Sequence, residues 1–357
     1  MCMAKDNKVM DIDMEFDFDG LMDEVFGNKV TKVKLSPTIQ GKRIAIYSPS
    51  NNVGKTRQAS RFCKNTIFIP FEEGLNAISN GNALRTSSWA DFRSHVSKLV
   101  NNKKLTVALE QGQEIGIVLD GMETMALFCK QYICDMAGKT KIQDIPHGGG
   151  WSAYETEMFE QITKISKTGF TLIFIGHAKP SKEDEGYMDF ACDRRTSKPI
   201  KDLCDLCFYV EGNGVDEETG EVIPSSAWLN EHKGENGFFA RSRFNLIQPY
   251  FEVFDAEIIK QAIYDGIVAQ AEAEGAEIVN FKEAQDIYES TFTLSYEEAM
   301  KAIYDMLDKC DEMGKTEDAD NILLSYVPTI EDVETLTKKQ MQTIQSIHDE
   351  LEELLAQ

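Results

Sequence analysis

Five short apolar runs punctuate the first two-thirds of the chain: residues 44–47, 65–71, 115–119, 170–175 and 204–210. Each is four to seven residues long and is bounded by polar or turn residues. Runs of this length, without strict alternation, read as strands buried on both faces, as in parallel sheets. Between them, residues 58–62, 89–105, 122–137 and 152–168 have helical character. Strand and helix in alternation predict an α/β fold, a mostly parallel twisted sheet with helices on both faces. Residues 215–222 have the turn chemistry of a β-hairpin. Residues 237–244 read as a further strand that carries Arg241 and Arg243 at i and i+2, hence on one face. Beyond residue 255 the pattern turns helical, over 256–290 and 295–357, with a break at Pro328 and helical apolar spacing over 341–355. Three parts are therefore expected: an acidic docking segment at 1–31, a core at 32–255 and an acidic helical module at 256–357.

Charge sharpens that division. The net charge of −23 argues against a nucleic-acid binder until it is localised: residues 1–30 carry −5, residues 31–255 carry −1 and residues 256–357 carry −17. A balanced core between acidic ends is compatible with a local basic patch that holds a polyanion. Residues 10–28 alternate acidic and apolar side chains, a composition that forms no core of its own and reads either as a docking peptide or as a disordered leader. No apolar run reaches the length of a membrane span, and the N-terminus is followed by acidic residues rather than a signal-type apolar stretch. Eight scattered cysteines fit reduced thiols and a cytoplasmic location. Cys204 and Cys207 have the spacing of half a zinc site, with Cys192 and His177 as possible company, but they lie in an apolar run that fits buried thiols.

The chemistry gathers where strands end. Residues 44–47 enter a turn-rich loop that closes in Gly54-Lys55-Thr56, and a helical segment follows. That order is the context of a phosphate-binding loop, in which Asn51, Asn52, Val53, Gly54, Lys55, Thr56 and Arg57 wrap phosphates with backbone N–H groups. Lys55 supplies a charge to the β- and γ-phosphates of ATP and the Thr56 hydroxyl a ligand to Mg²⁺. Pro49 stands where such loops usually carry glycine, so Asn51 or Asn52 is expected to take the left-handed geometry. The strand at 65–71 ends in Glu72 and Glu73, either of which would polarise a water. The strand at 115–119 ends in Asp120, placed to orient the Mg²⁺ shell. The strand at 170–175 runs into His177, which reads as a γ-phosphate sensor or as a strand-end cap. Residues 178–199 read as a polar mobile loop, in which Lys179, Lys182, Arg194, Arg195 and Lys198, interleaved with Tyr187 and Phe190, suit single-stranded nucleic acid. A plain solvated loop is the alternative.

With these residues in order, the stretch at 32–255 resembles phage-encoded RecA-like P-loop ATPases, an AAA-type nucleotide-binding group associated with single-strand annealing and recombination. Gly54-Lys55-Thr56 resembles Walker A and Val118-Leu119-Asp120 resembles Walker B. Residues 144–151 are similar to the family's Gly-rich, Trp-containing segment, and residues 173–177 to its strand ending in His. The resemblance implies that Glu72 rather than Glu73 is the catalytic glutamate. It also implies that Arg241 and Arg243 act across a subunit interface, and that DNA-facing loops lie at about 138–151 and 178–199. Gly121, where the family has Ser or Thr, and the unmatched last hundred residues are departures from its pattern. The expected function is an ATPase that forms a homo-oligomer, filament or ring, on single-stranded DNA, with a single-strand-binding or annealing protein as a candidate further partner and without a membrane. The rival expectations are a nucleotide-gated scaffold for a replication or packaging partner, and a helicase or helicase loader.

Overall fold

The structure, a computed structural model, describes residues 17–79, 81–181, 185–234, 236–288 and 292–356. Lys182 and residues 10–16 of the acidic segment lie outside the described residues. The chain forms two compact units, one from residues 1–31 and 288–357 and the other from 32–287. Within the first, α1 (Phe18–Phe26) begins on Asp17, whose carboxylate accepts the Gly20 N–H.

The second unit is built on one sheet. Its strands are β1 (Arg43–Ser48), β2 (Asn65–Pro70), β3 (Asn82–Ala83), β4 (Ile115–Asp120), β5 (Thr171–Pro180), β6 (Met188–Phe190), β7 (Leu206–Glu211), β8 (Ser226–Trp228), β9 (Arg241–Ser242) and β10 (Tyr250–Phe251). The order is β10-β8-β7-β1-β5-β4-β2-β3, with β6 beside β5 and β9 beside β7. The six strands from β7 to β3 are parallel, and β8, β9, β10 and β6 add antiparallel pairings. The helices are α2 (Lys55–Ala59), α3 (Trp89–Val100), α4 (Lys103–Glu110), α5 (Met122–Met136), α6 (Gly149–Ser166), α7 (Arg194–Leu203), α8 (Ala256–Glu274) and α9 (Phe281–Gln285).

The middles of β1, β4, β5 and β7 are apolar because both faces of the sheet are covered there. Ala45, Tyr47, Ile117, Leu119, Leu172 and Phe174 point to one side, into a core with Trp89 and Phe92 of α3, Met125 of α5 and Tyr154 and Met158 of α6. Ile44, Ile46, Val118, Ile173 and Ile175 point to the other, into a core with Ala59 of α2 and Ile259, Ile263 and Ile267 of α8. That second core corrects the expected boundary at 256. The change of composition at 256 marks a helix with an acidic outer face whose buried stripe closes the sheet, and the unit runs on to Ile287.

A second correction concerns residues 178–199. The expected loop is largely ordered: β5 runs on to Pro180, β6 pairs with it, and α7 starts at Arg194 on its N-cap Asp193. Pro199 inside α7 hid the helix from a reading of propensity. In the first unit, α10 (Tyr296–Glu312), α11 (Thr316–Leu324) and α12 (Met341–Ala356) enclose a separate core that includes Ile303, Leu323, Ile344 and Leu351. Among the described residues no helix is long and apolar enough to cross a membrane.

Candidate nucleotide site

Parallel register brings the strand ends together. Ser48 of β1 pairs with His177 of β5, Ile175 of β5 with Asp120 of β4, and Asp120 with Pro70 of β2. The loop after Ser48, Glu72 just past β2, Asp120 and His177 thus share the carboxyl edge, where ligands of open α/β sheets bind.

The loop departs from glycine and still makes the required turn. Asn52 has φ 62° and Gly54 φ 85°, so the left-handed residues are Asn52 and Gly54. Asn tolerates that region better than other side chains do. Val53 is buried, and Gly212 approaches so closely that a Cβ there would lie 3.1 Å from Val53 Cγ1. Asn51 and Arg57 are exposed, Arg57 on the outer side of α2. Lys55 is buried, and its Nζ donates to the Ser50 carbonyl 3.2 Å away. Burial pulls its pKa below the usual lysine value, while Asp120, Glu123 and Glu72 pull it back up.

Three carboxylates thus surround one ammonium. Thr56 Oγ1 donates to Asp120 Oδ2 at 2.8 Å. Burial holds the Asp120 carboxyl above the usual carboxylate range and Glu72 adds to that, against the Thr56 hydrogen bond, Lys55 and His177. Glu72 accepts from Thr124 Oγ1 at 2.8 Å, whereas Glu73 is exposed. The glycine at 121 has a reason here: a Cβ would lie 2.8 Å from Glu72 Oε1. The family's Ser or Thr would push that carboxylate aside.

Sequence reasoning missed Glu123 and Thr124. Glu123 Oε1 accepts the His177 backbone N–H at 2.9 Å, and its Oε2 lies 3.6 Å from His177 Nδ1. That Oε2 is buried without a hydrogen bond. The signal was present in the sequence, an acid in the first helical turn after the strand-ending Asp120.

The residues fit Mg²⁺ and a nucleotide. A hydroxyl and a carboxylate oxygen in contact are hard ligands of the kind Mg²⁺ takes while keeping several waters. A buried ammonium that donates to a loop carbonyl suits phosphate oxygens. The zinc alternative finds no support, because among the described residues Cys192, Cys204, Cys207 and His177 do not bring three ligand atoms within mutual reach. Among the described residues, the one group of three metal-capable side chains in mutual reach is His348, Asp349 and Glu352 of α12.

The other candidates lie apart. Arg241 and Arg243 flank the start of β7, at the amino edge, because Arg241 pairs with Cys207 and Ser242 with Leu206. Arg241 Nη1 donates to the Lys201 carbonyl at 3.0 Å, and Arg243 to the Asp202 carbonyl, at the end of α7. Lys179 donates to the carbonyls of Ala191 and Cys192. Arg194, Arg195 and Lys198 sit on α7 rather than on a loop. Arg195 pairs with Glu155 at 2.9 Å and lies 4.5 Å over the Trp151 ring. Lys198 pairs with Asp202 at 2.6 Å.

A parallel sheet with this loop, Lys55 and the Thr56–Asp120 pair at its carboxyl edge defines the class of P-loop ATPase-like proteins. The chain belongs to the AAA domain family, whose model matches residues 40–244. It is also 35% identical over 337 residues to the SPbeta prophage-derived uncharacterized protein YorG of Bacillus subtilis (strain 168), covering 94% of this chain and 99% of that protein.

Proposed function

We propose that this protein is a phage-encoded, RecA-like, Mg²⁺-dependent ATPase that assembles on single-stranded DNA and supports recombination or annealing in the host cytoplasm. One arrangement carries the ATPase reading: buried Lys55 faces Asp120, Glu123 and Glu72, while Thr56 holds Asp120. Lys55 would take the β- and γ-phosphates, and Thr56 and Asp120 would hold Mg²⁺, whose charge would neutralise that of the phosphate oxygens. Glu72, fixed by Thr124, accepts a proton from the attacking water as the γ-phosphoryl group leaves ADP. His177, anchored through Glu123, faces the same edge and senses the γ-phosphate.

Support for a nucleic-acid partner is the grouping of Arg194, Arg195 and Lys198 on α7, with Lys179 donating to the segment just before it. Arg241 and Arg243 lie at the far end of the sheet from their own phosphate loop, so any action on nucleotide would be on a neighbouring subunit's. The similarity to a prophage-derived protein supports the phage setting.

A second reading, a nucleotide-gated scaffold with slow turnover, draws on α1. Its Phe18, Leu21, Val25 and Phe26 are exposed between acidic side chains, a face suited to docking a replication or packaging protein. Steady-state ATP hydrolysis with and without oligo(dT), at low and moderate salt, separates the readings. Turnover stimulated by DNA, fading as salt rises, supports the motor. Turnover indifferent to DNA supports the scaffold. Turnover that is Mg²⁺-independent sinks both.

A further inference from the structure

A cleft of about 930 Å³ runs between α6 and α7, and none of the candidate nucleotide-site residues lines it. It lies within the roughly 300–1,000 Å³ of ligand-sized clefts. Five cations line it, Lys164, Lys167, Arg194, Arg195 and Lys198, against the two carboxylates Glu155 and Glu160. Its apolar surface centres on Phe159, a large aromatic left 51% exposed on the middle of α6. Trp151, Glu155, Phe159, Thr163 and Lys167 follow one another at four-residue spacing, so they form one slowly winding stripe along α6. Thr163 Oγ1, in the lining, is buried with no hydrogen-bond partner.

We infer that this cleft is a seat for single-stranded nucleic acid, with Phe159 as the platform for a base and Lys164 and Lys167 as phosphate contacts beside the cations of α7. The inference rests on the DNA-binding reading above and deepens it: the strand's path follows the α6–α7 cleft and includes Phe159 and Lys164 of α6 and Lys167 at its C-cap. The physical case is the combination of features. Cations along both rims follow a charged backbone, and an exposed aromatic between them stacks on any base. The ion pairs that now engage the rims are exposed ones, Lys164 with Glu160, Arg195 with Glu155 and Lys198 with Asp202. Such pairs contribute little, so their cations turn to phosphates at small cost. Both walls are helices, which give a peptide backbone no strand edge to pair with.

The test is fluorescence anisotropy of labelled oligo(dT) with the full chain. It compares wild type with Phe159→Ala, Phe159→Tyr and the double variant Lys164→Ala/Lys167→Ala. Binding of a fluorescent ATP analogue and thermal melting are followed as controls for folding. Expected for Phe159→Ala is ~10-fold weaker oligo(dT) binding, with Phe159→Tyr close to wild type because a phenol ring still stacks. The double lysine variant should lower the slope of log K against log salt by about 0.7 per lysine. If wild type binds oligo(dT) and none of the variants changes it, the strand runs elsewhere. The cleft assignment then fails while the DNA-binding reading stands. If wild type binds no oligo(dT), both fail. If a synthetic peptide of residues 10–28 binds with dependence on Phe159 and oligo(dT) does not, the cleft is a protein-docking groove and the inference is overturned.

Discussion

The two ends of the central strands carry two charge clusters of opposite character. At the amino edge, Asp205 is buried and fully engaged: it accepts the Arg43 backbone N–H at 2.9 Å, Arg43 Nε at 3.0 Å and Arg43 Nη2 at 2.9 Å. Arg243 Nε lies 3.8 Å from the same carboxylate, and Arg243 also bonds the end of α7. At the carboxyl edge the charges are not paired off. Lys55 is pulled down by burial, Asp120 is pushed up by it, and Glu123 keeps an oxygen without a hydrogen bond. Satisfied charges clip elements together, whereas charges held in mutual tension are poised for a ligand. The sheet separates the two uses by its ends.

Substitutions test that division. The largest effect belongs to Lys55→Ala, which should cut ATP turnover by at least ~10²–10³-fold, as loss of a preorganised charge at a reacting phosphate does. Its melting temperature should hold or rise, because a charge that burial disfavours has gone. Steady-state assay and calorimetry on the same preparation check both halves, and wild-type turnover would remove Lys55 from the site.

At the other edge the expected pattern is reversed. Asp205→Ala leaves Arg43 without its partner and should cost about 3 kcal/mol in urea unfolding, the usual range for breaking a buried pair. A stability loss under 1 kcal/mol would show that the amino edge is not a clip.

Gly121→Ala sharpens the carboxyl side. A Cβ 2.8 Å from Glu72 Oε1 must displace that carboxylate. Turnover should fall ~10-fold with ATP binding kept, the size of effect expected from a misplaced base. Unchanged turnover would place the working base elsewhere.

Arg243→Ala is the substitution most able to break the comparison. As a clip it should cost about 1 kcal/mol, a modest value for a partly exposed hydrogen-bonded charge. A fall in turnover beyond 100-fold at nearly unchanged stability would instead give the amino edge a catalytic role on a neighbour's nucleotide.

The smallest effect is a pH slope. Lys42, beside this cluster, donates to the Ser36 carbonyl, and burial lowers its pKa to about 8. Below that pH both folded and unfolded chains carry its proton, and the folded chain bears the full cost of a buried charge. Between about 8 and the ordinary lysine value of 10.5 the unfolded chain holds more protons, so this group raises stability as pH rises. Urea unfolding at pH 7.5 and 9.5 should show the rise in wild type and lose part of it in Lys42→Met. An identical slope in the variant would assign it to other groups.

The grouping of Lys55, Glu72, Asp120 and His177 at one edge was legible because its signals are local. A strand, a turn and Gly54-Lys55-Thr56 are contiguous, and Glu72, Asp120 and His177 each follow an apolar run. Parallel pairing then puts strand ends side by side, whatever the chain between them does. Asn52 was one of two residues expected to be left-handed, since the loop had to turn without glycine at 49. Other features depended on neighbours distant in sequence. The glycine at 121 makes sense only once Glu72 stands beside it, and Glu123 only once β5 lies next to β4. α8 reads as part of an acidic tail until its Ile259, Ile263 and Ile267 are seen to close the second face of the sheet. The cations at 194–198 read as a loop because Pro199 disguised a helix. Chain order and residue type thus determined the fold class and the strand ends that carry the candidate phosphate-binding residues. Which charges are satisfied and which are left in tension was decided by tertiary packing alone, because burial and pairing are properties of neighbours that the chain brings together only on folding.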